Sequence, residues 1–256
     1  MAGVDEPDTF RSLTGRAALV TASRRLGRAV ALGLARAGAD VAVTFRRDES
    51  AARDLVEAIE AAGSRAVAFG ADLSRADECR RVVDDAARTL GRLDILVNVA
   101  STFIVRPFAS LTADALDADL AVDLLGAAHC AQAAVPHMRR AGQGRIVNLT
   151  DWVAASRRPR YRGYLGYYVA KSSVIALTEA LALELAGDGI LVNAVAPGPI
   201  LPAEGTSEAS RERVRQATPL GRWGGGDAVS RAVLVFVESA FITGDTIRVD
   251  GGRHLA

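Results

Sequence analysis

The sequence predicts an α/β protein: one domain on a doubly wound, parallel seven-stranded sheet with helices on both faces. Three observations predict it. Short runs of continuous apolar character recur along the chain, as in strands buried on both faces. Segments with a helical apolar period lie between them. No Pro/Ser-rich linker, internal repeat or shift of composition divides the 256 residues.

Ala17-Ala18-Leu19-Val20 reads as the first strand, and Leu26 to Ala37 as the helix after it, ended by Gly38. Val41-Ala42-Val43-Thr44-Phe45 is the second strand, followed by an Ala/Glu-rich helix from about Glu49 to Ala62 that Gly63 stops. Ala66 to Phe69, Ile95 to Val97, Ile146 to Leu149 and Ile190 to Val195 supply four more strands. Thr246-Ile247-Arg248-Val249 closes the sheet. The irregular stretch from about Pro197 to Pro219, with one short helix over Ser207 to Gln216, reads as a substrate lid. It follows a strand directly, and ligands of open α/β sheets bind at the carboxyl ends of the strands. Residues 1–14 read as a flexible N-terminal tail and 15–256 as the single catalytic domain.

Half of the residues are hydrophobic and about a quarter charged, which excludes a disordered chain and a low-complexity fibre. With 31 basic and 30 acidic residues the net charge is +1, so no nucleic-acid partner is expected. No apolar run is long enough to cross a bilayer, and MAGVDEPDTFRSLTGR has acids where a signal peptide needs bases. The expectation is a cytoplasmic protein with no membrane partner. Cys79 and Cys130 fall in amphipathic, helix-like stretches and read as free thiols. His129, His137 and His254 have no metal-ligand spacing, so no metal is expected.

The chemistry is concentrated in one place. Lys171 is the single lysine beside thirty arginines, and all four tyrosines (Tyr161, Tyr164, Tyr167, Tyr168) lie just before it. A lone lysine suggests a position where the fork geometry and high pKa of arginine will not serve. Tyr167 and Lys171 are one helical turn apart, so they share a face. A phenol titrates near pH 10, and a cation within about 4–6 Å lowers that value. The pair therefore predicts Tyr167 as a general acid or base, with Lys171 lowering its pKa.

A second cluster points to a nucleotide. The turn Val20-Thr21-Ala22-Ser23-Arg24-Arg25-Leu26-Gly27-Arg28 joins the first strand to its helix, where backbone N–H groups hold a pyrophosphate. Thr21, Ser23, Arg24, Arg25, Leu26 and Gly27 are the candidate contacts. Arg46-Arg47 follows the second strand. In a Rossmann unit an acid there binds the ribose 2′-hydroxyl, whereas arginine suits a 2′-phosphate, which selects NADP(H) over NAD(H).

Tyr167-Tyr168-Val169-Ala170-Lys171 has the form Tyr-x-x-x-Lys. Three further segments accompany it: Leu96-Val97-Asn98-Val99-Ala100-Ser101, Pro197-Gly198-Pro199-Ile200, and Thr243-Gly244 with Val249-Asp250-Gly251-Gly252. From about residue 15 to 253 the chain thereby resembles the short-chain dehydrogenase/reductase family, a Rossmann-type fold. Within it the chain is similar to the pteridine-reductase branch, whose glycine motif is Thr-Gly-x-x-x-Arg-x-Gly and which has Asp where most members have the catalytic Ser. Arg25 and Gly27 match the end of that motif, and Asp151 in Asn148-Leu149-Thr150-Asp151-Trp152 takes the Ser position. The resemblance implies Asp151, Tyr167, Lys171 and Asp123 as catalytic residues, with Tyr167 and Lys171 also at the cofactor and Lys171 holding the nicotinamide ribose. It adds Asp72, Leu73, Asn98, Ala100, Pro197, Gly198 and Ile200 as cofactor contacts. Ser101, Phe103, Asp151, Tyr164 and Tyr167 would line the substrate, with Phe103 stacked on a planar ring. A homotetramer or homodimer is implied, with the long helices and C-terminal segment at the interfaces.

The sequence departs from the family pattern at three points. Ala22-Ser23-Arg24 stands where Gly plus three residues are usual; Asn98-Val99-Ala100-Ser101 replaces Asn-Asn-Ala-Gly; and Asp123 replaces the Asn that completes the proton relay. An ionised Asp123 is acceptor-only, so it is expected to bind a relay water without donating to it. An ionised Asp151 would raise the pKa of Tyr167 and oppose Lys171. That favours a substrate that becomes cationic, such as a protonated imine. The expected function is NADPH-dependent reduction of a C=N or C=O bond of a small, planar, pterin-like molecule, with Tyr167 as proton donor. The alternatives are a 3-oxoacyl, sugar or steroid ketone reductase, or a catalytically impaired NADP(H)-binding regulatory protein.

Overall fold

The structure, a computed structural model, describes residues 12–256. Seven strands, β1 (Ala17–Val20), β2 (Asp40–Phe45), β3 (Ala66–Gly70), β4 (Ile95–Asn98), β5 (Gly144–Leu149), β6 (Ile190–Pro197) and β7 (Thr246–Val249), form one sheet in the order β3-β2-β1-β4-β5-β6-β7. Every pairing is parallel. The order reverses between β1 and β4, which opens a crevice at their carboxyl ends.

Side-chain alternation explains the continuous apolar runs. In β1, Ala18 and Val20 enter one core while Ala17 and Leu19 enter the other. β4 repeats this, with Ile95 and Val97 on the first side and Leu96 on the second. A strand with period-two geometry and both faces covered must be apolar throughout. The first core packs the sheet against α1 (Leu26–Arg36), α2 (Glu49–Glu60) and α9 (Gly226–Glu238) through Val30, Leu34, Leu55, Ile59, Val233 and Phe236. The second packs it against α3 (Ala76–Leu90), α5 (Gly126–Arg140) and α7 (Leu165–Leu185) through Val82, Cys79, Cys130, Met138, Ala182 and Leu185. Both cysteines are buried and unbridged.

The expected elements stand, with shifts at their ends. β5 begins two residues before Ile146, and β6 runs on to Pro197. The stretch over 197–219, expected as a lid, carries α8 (Glu208–Gln216), capped by the Ser207 hydroxyl, which accepts from Ser210 N–H. The tail expected over 1–14 falls largely outside the described residues, but Leu13 corrects its boundary. Its side chain is fully buried in the first core and its N–H donates to Ala37 O at 3.1 Å.

Candidate active site

Two residues beyond the end of β5, Asp151 caps α6 (Trp152–Ala155): its Oδ1 accepts from Val153 N–H at 2.9 Å. Its other oxygen, Oδ2, accepts from the Tyr167 hydroxyl at 2.8 Å. Tyr167 stands in the first turn of α7 and Lys171 one turn on, with Nζ 5.9 Å from the phenol ring centroid. Lys171 Nζ donates to Leu149 O at 2.9 Å and lies 3.1 Å from Asp123 Oδ1. The backbone register that aligns these groups is fixed by buried amides. Asn98 and Asn148 are paired across β4 and β5; Asn98 Nδ2 donates to Asn148 Oδ1, and Asn148 Nδ2 donates to Thr178 on α7, each at 2.9 Å.

Asp123 lies in a π-helical turn, residues 121–125, between α4 (Ala113–Leu120) and α5. Such turns are frequent at functional sites. Its carboxylate is fully enclosed by donors: the Ser101 hydroxyl, Thr102 N–H at 2.8 Å, the Thr102 hydroxyl at 3.0 Å and Lys171.

This arrangement corrects two expectations. The Tyr167 pKa is not lowered on balance; the phenol is pushed well up, first by burial and then by the Asp151 carboxylate, with Asp123 adding to it. Asp123, 3.1 Å from Lys171 Nζ, sets a negative charge beside the lysine and opposes its pull on the phenol. Asp123 is an ion-pair partner of Lys171. Ser101 spends its hydroxyl on Asp123 instead of turning it to a substrate. Asp151 itself is raised by burial, against the pull of Val153 N–H, the Tyr167 hydroxyl and Lys171.

The aromatic wall is partly as expected. Phe103 is 55% exposed, so it is no core residue, and it stacks on Tyr164 with centroids 4.2 Å apart and planes at 23°. It also meets Tyr167 edge-on at 4.8 Å and Tyr161 at 5.9 Å. Tyr161 was not among the candidate site residues. Its hydroxyl accepts from Trp152 Nε1 at 2.8 Å, and its pKa is pushed up to about 12 by burial and by Asp151. Its membership of the four-tyrosine cluster was the available signal.

The candidate nucleotide contacts gather at the carboxyl ends of β1, β2 and β4. Thr21 is buried, and its hydroxyl accepts from Val99 N–H and Ala100 N–H at 2.8 and 3.2 Å; it braces the turn rather than pointing outward. Ser23 is buried, and so are Leu73 and Ile200, the latter within the first core. Gly27 is required by close approach, because a Cβ there would lie 2.6 Å from Ala22 Cβ and 2.7 Å from Ala22 O. Arg25, which precedes α1, has φ 49° and offers no side-chain cap to the helix. Its guanidinium instead donates to Leu201 O and Pro202 O at 2.9 and 3.1 Å. Arg24 bridges Asp48 at 3.1 Å and Glu204 at 2.7 Å, so both arginines tie the turn to the segment after β6. Arg46 lies 3.0 Å from Asp72, whose carboxyl is held down by its Ser74 hydrogen bond and by Arg46; Arg47 is exposed. Gly198, after β6, cannot carry a side chain, since its Cβ would meet Asp250 Cβ at 2.5 Å. An uncapped helix N-terminus, a glycine with no room for Cβ and adjacent guanidinium groups fit the phosphates of a dinucleotide. The larger cavity, ≈ 470 Å³ and lined by Pro199, Ile200, Leu220, Arg248, Val249 and Leu255 among others, includes none of the Asp151, Tyr167 or Lys171 groups.

A sheet that reverses its strand order beside such a turn, with a buried tyrosine and lysine at the same edge, is the architecture of a dinucleotide-dependent oxidoreductase. Comparison with known proteins narrows the class. A family profile described as enoyl-(acyl carrier protein) reductase matches residues 20–254. The 3-oxoacyl-[acyl-carrier-protein] reductase FabG of Staphylococcus aureus is 36% identical over 245 residues, covering 94% of this chain and 98% of that one. An L-rhamnose 1-dehydrogenase (NAD(P)(+)) of Sphingomonas is 33% identical over 254 residues, 96% and 99% of the two chains. A short chain dehydrogenase of Burkholderia cenocepacia, solved in complex with NADP, superposes with a TM-score of 0.87 at 36% identity, covering 95% and 99%. The chain belongs to the short-chain dehydrogenase/reductase family and is an oxidoreductase of that family.

Proposed function

We propose that the protein is an NADP(H)-dependent reductase of a small ketone, acting through Asp151 and Tyr167. The 2.8 Å hydrogen bond between Tyr167 Oη and Asp151 Oδ2 carries this reading, because it sets two proton-bearing groups side by side next to the predicted nicotinamide site. The bound dinucleotide would supply or accept the hydride. The chain's own residues handle the proton. Burial keeps the phenol protonated at neutral pH, so Tyr167 can donate to the oxygen that gains charge as the carbonyl is reduced. Asp151, whose Oδ2 accepts from the Tyr167 hydroxyl, would orient that hydroxyl toward the oxygen. Arg46, with Arg24, would take the 2′-phosphate, the turn before α1 the pyrophosphate, and Lys171 the ribose. Relatives named for 3-oxoacyl substrates support the ketone, and a neighbour in complex with NADP supports the cofactor.

Tyr167→Phe is expected to lower kcat by about 10²–10⁴-fold while leaving NADPH affinity within twofold; retained turnover would remove the proposed role. A second reading, reduction of a C=N bond in a planar heterocycle as in the pteridine-reductase branch, is favoured by the exposed Phe103–Tyr164 stack beside a carboxylate. Comparing kcat/KM for dihydropterins and 3-oxoacyl thioesters separates the two. Among the described residues no helix is long and apolar enough to cross a membrane. The proposal extends to a cytoplasmic homotetramer or homodimer, supported by exposed Leu183 and Val169 along α7 and Leu255 near the C-terminal end.

A further inference from the structure

We propose that Arg106 and Asp119 are positioning residues for the reaction: their ion pair fastens the segment after β4 to the catalytic helix α7 and so sets where Phe103 stands against Tyr167. The proposal deepens the ketone-reductase reading and rests on it for the role of Tyr167.

Residues 101–105 have no regular structure, yet they carry Phe103, Ile104 and Val105, each about half exposed. Such a stretch holds one place only if it is tied down on both sides. At its start, Asp123 accepts from the Ser101 hydroxyl and from Thr102. Beyond its end, Arg106 N–H donates to Gly163 O at 2.6 Å, and Arg106 pairs with Tyr164 in an isolated parallel bridge. Between these ties the Phe103 ring stacks on Tyr164 and meets Tyr167 edge-on.

The Arg106 side chain adds a third tie. Its guanidinium lies 3.4 Å from Asp119 on α4. Asp119 is the one buried residue of α4, at a position where an amphipathic helix would place an apolar side chain. Its carboxylate also stands against α7. A Cβ at Gly166, the residue before Tyr167, would lie 2.5 Å from Asp119 Oδ2 and 3.0 Å from Asp119 Cβ. One carboxylate therefore meets both the segment that bears Phe103 and the backbone that bears Tyr167. Neither side chain has another hydrogen-bond or ion-pair partner among the described residues. A buried ion pair is a poor source of stability, because desolvating both charges offsets their attraction. What it supplies is direction, since a guanidinium and a carboxylate meet in few arrangements and apolar side chains in many. The pair thus places the segment more than it holds the domain together.

The test uses Arg106→Met/Asp119→Leu, which exchanges the pair for apolar side chains of similar size and is expected to melt at or above wild type. Its KM for acetoacetyl-N-acetylcysteamine, reduced with saturating NADPH, should rise by about tenfold, with kcat falling by less than about threefold. Amide hydrogen exchange of the peptide over 101–108 should speed up by about tenfold, while peptides from β4 and α5 keep their wild-type rates. Arg106→Lys keeps the charge and loses the fork, so it should fall between wild type and the double variant in both measurements. If the double variant does not fold, Arg106→Lys decides the question, and wild-type KM and exchange in it would overturn the proposal. Wild-type KM and exchange in a folded double variant would do the same. So would a lower melting temperature with exchange raised evenly across the domain, as a purely structural pair would give. Should wild type reduce no ketone, the ketone-reductase reading falls, and hydrogen exchange still decides whether the pair places the segment.

Discussion

Burial acts on Asp151 and Tyr167 in the same direction, pushing each toward its neutral form. A phenol held protonated is suited to give a proton, as the proposed reduction requires. Removing the neighbouring carboxylate tests the cause. In Asp151→Asn the negative charge beside the phenol is gone, so the Tyr167 pKa falls and the alkaline limb of the oxidation pH profile moves to lower pH. A limb that stays in place would show that Asp151 does not set it. Stability follows the same sign. Because the folded Asp151 pKa is raised, the stability its neutral form supplies is present at low pH and lost as pH rises through that value. Asp151→Asn is therefore expected to melt above wild type at pH 7, with the gap closing toward about pH 4. The Tyr167–Lys171 pair was legible in the sequence, since a spacing of four on a helix fixes a shared face. The partner of Lys171 was not. Asp123 reaches it from another element through a π-helical turn, and no local period announces such a turn.

At the scale of elements, the turn before α1 and the turn before α5 do the positioning. Gly27 lets α1 begin against Ala22, and Gly27→Ala would force a Cβ into that contact. The expected result is a loss of about 1–3 kcal/mol in urea unfolding together with weakened NADPH binding. Asp123→Ala would leave the Lys171 ammonium buried with Leu149 O as its remaining partner and the Ser101 and Thr102 donors unanswered. A loss of about 3–5 kcal/mol is expected, measured in the same way. Wild-type stability in that variant would mean the ion pair contributes nothing. The shortened glycine turn was visible in the sequence as a departure. Its consequence was not, because Arg25 takes a positive φ and ties its guanidinium to Leu201 and Pro202, contacts that depend on where the lid lies.

Across the whole molecule, the sheet was the most legible feature. Alternate residues of β1 and β4 enter opposite cores, and only uninterrupted apolar runs satisfy that geometry. Strand ends were less legible, because β6 runs into Pro197 where ladder bonds to β7 rather than composition decide. The central claim is that this fold binds NADP(H) with the turn before α1 and reads its 2′-phosphate with Arg46. The most direct measurement is a fluorescence titration of the protein with NADPH and, in parallel, NADH. The account predicts a micromolar Kd for NADPH, about −8 kcal/mol, with NADH at least tenfold weaker and the difference lost in Arg46→Gln. Binding of neither nucleotide would contradict it.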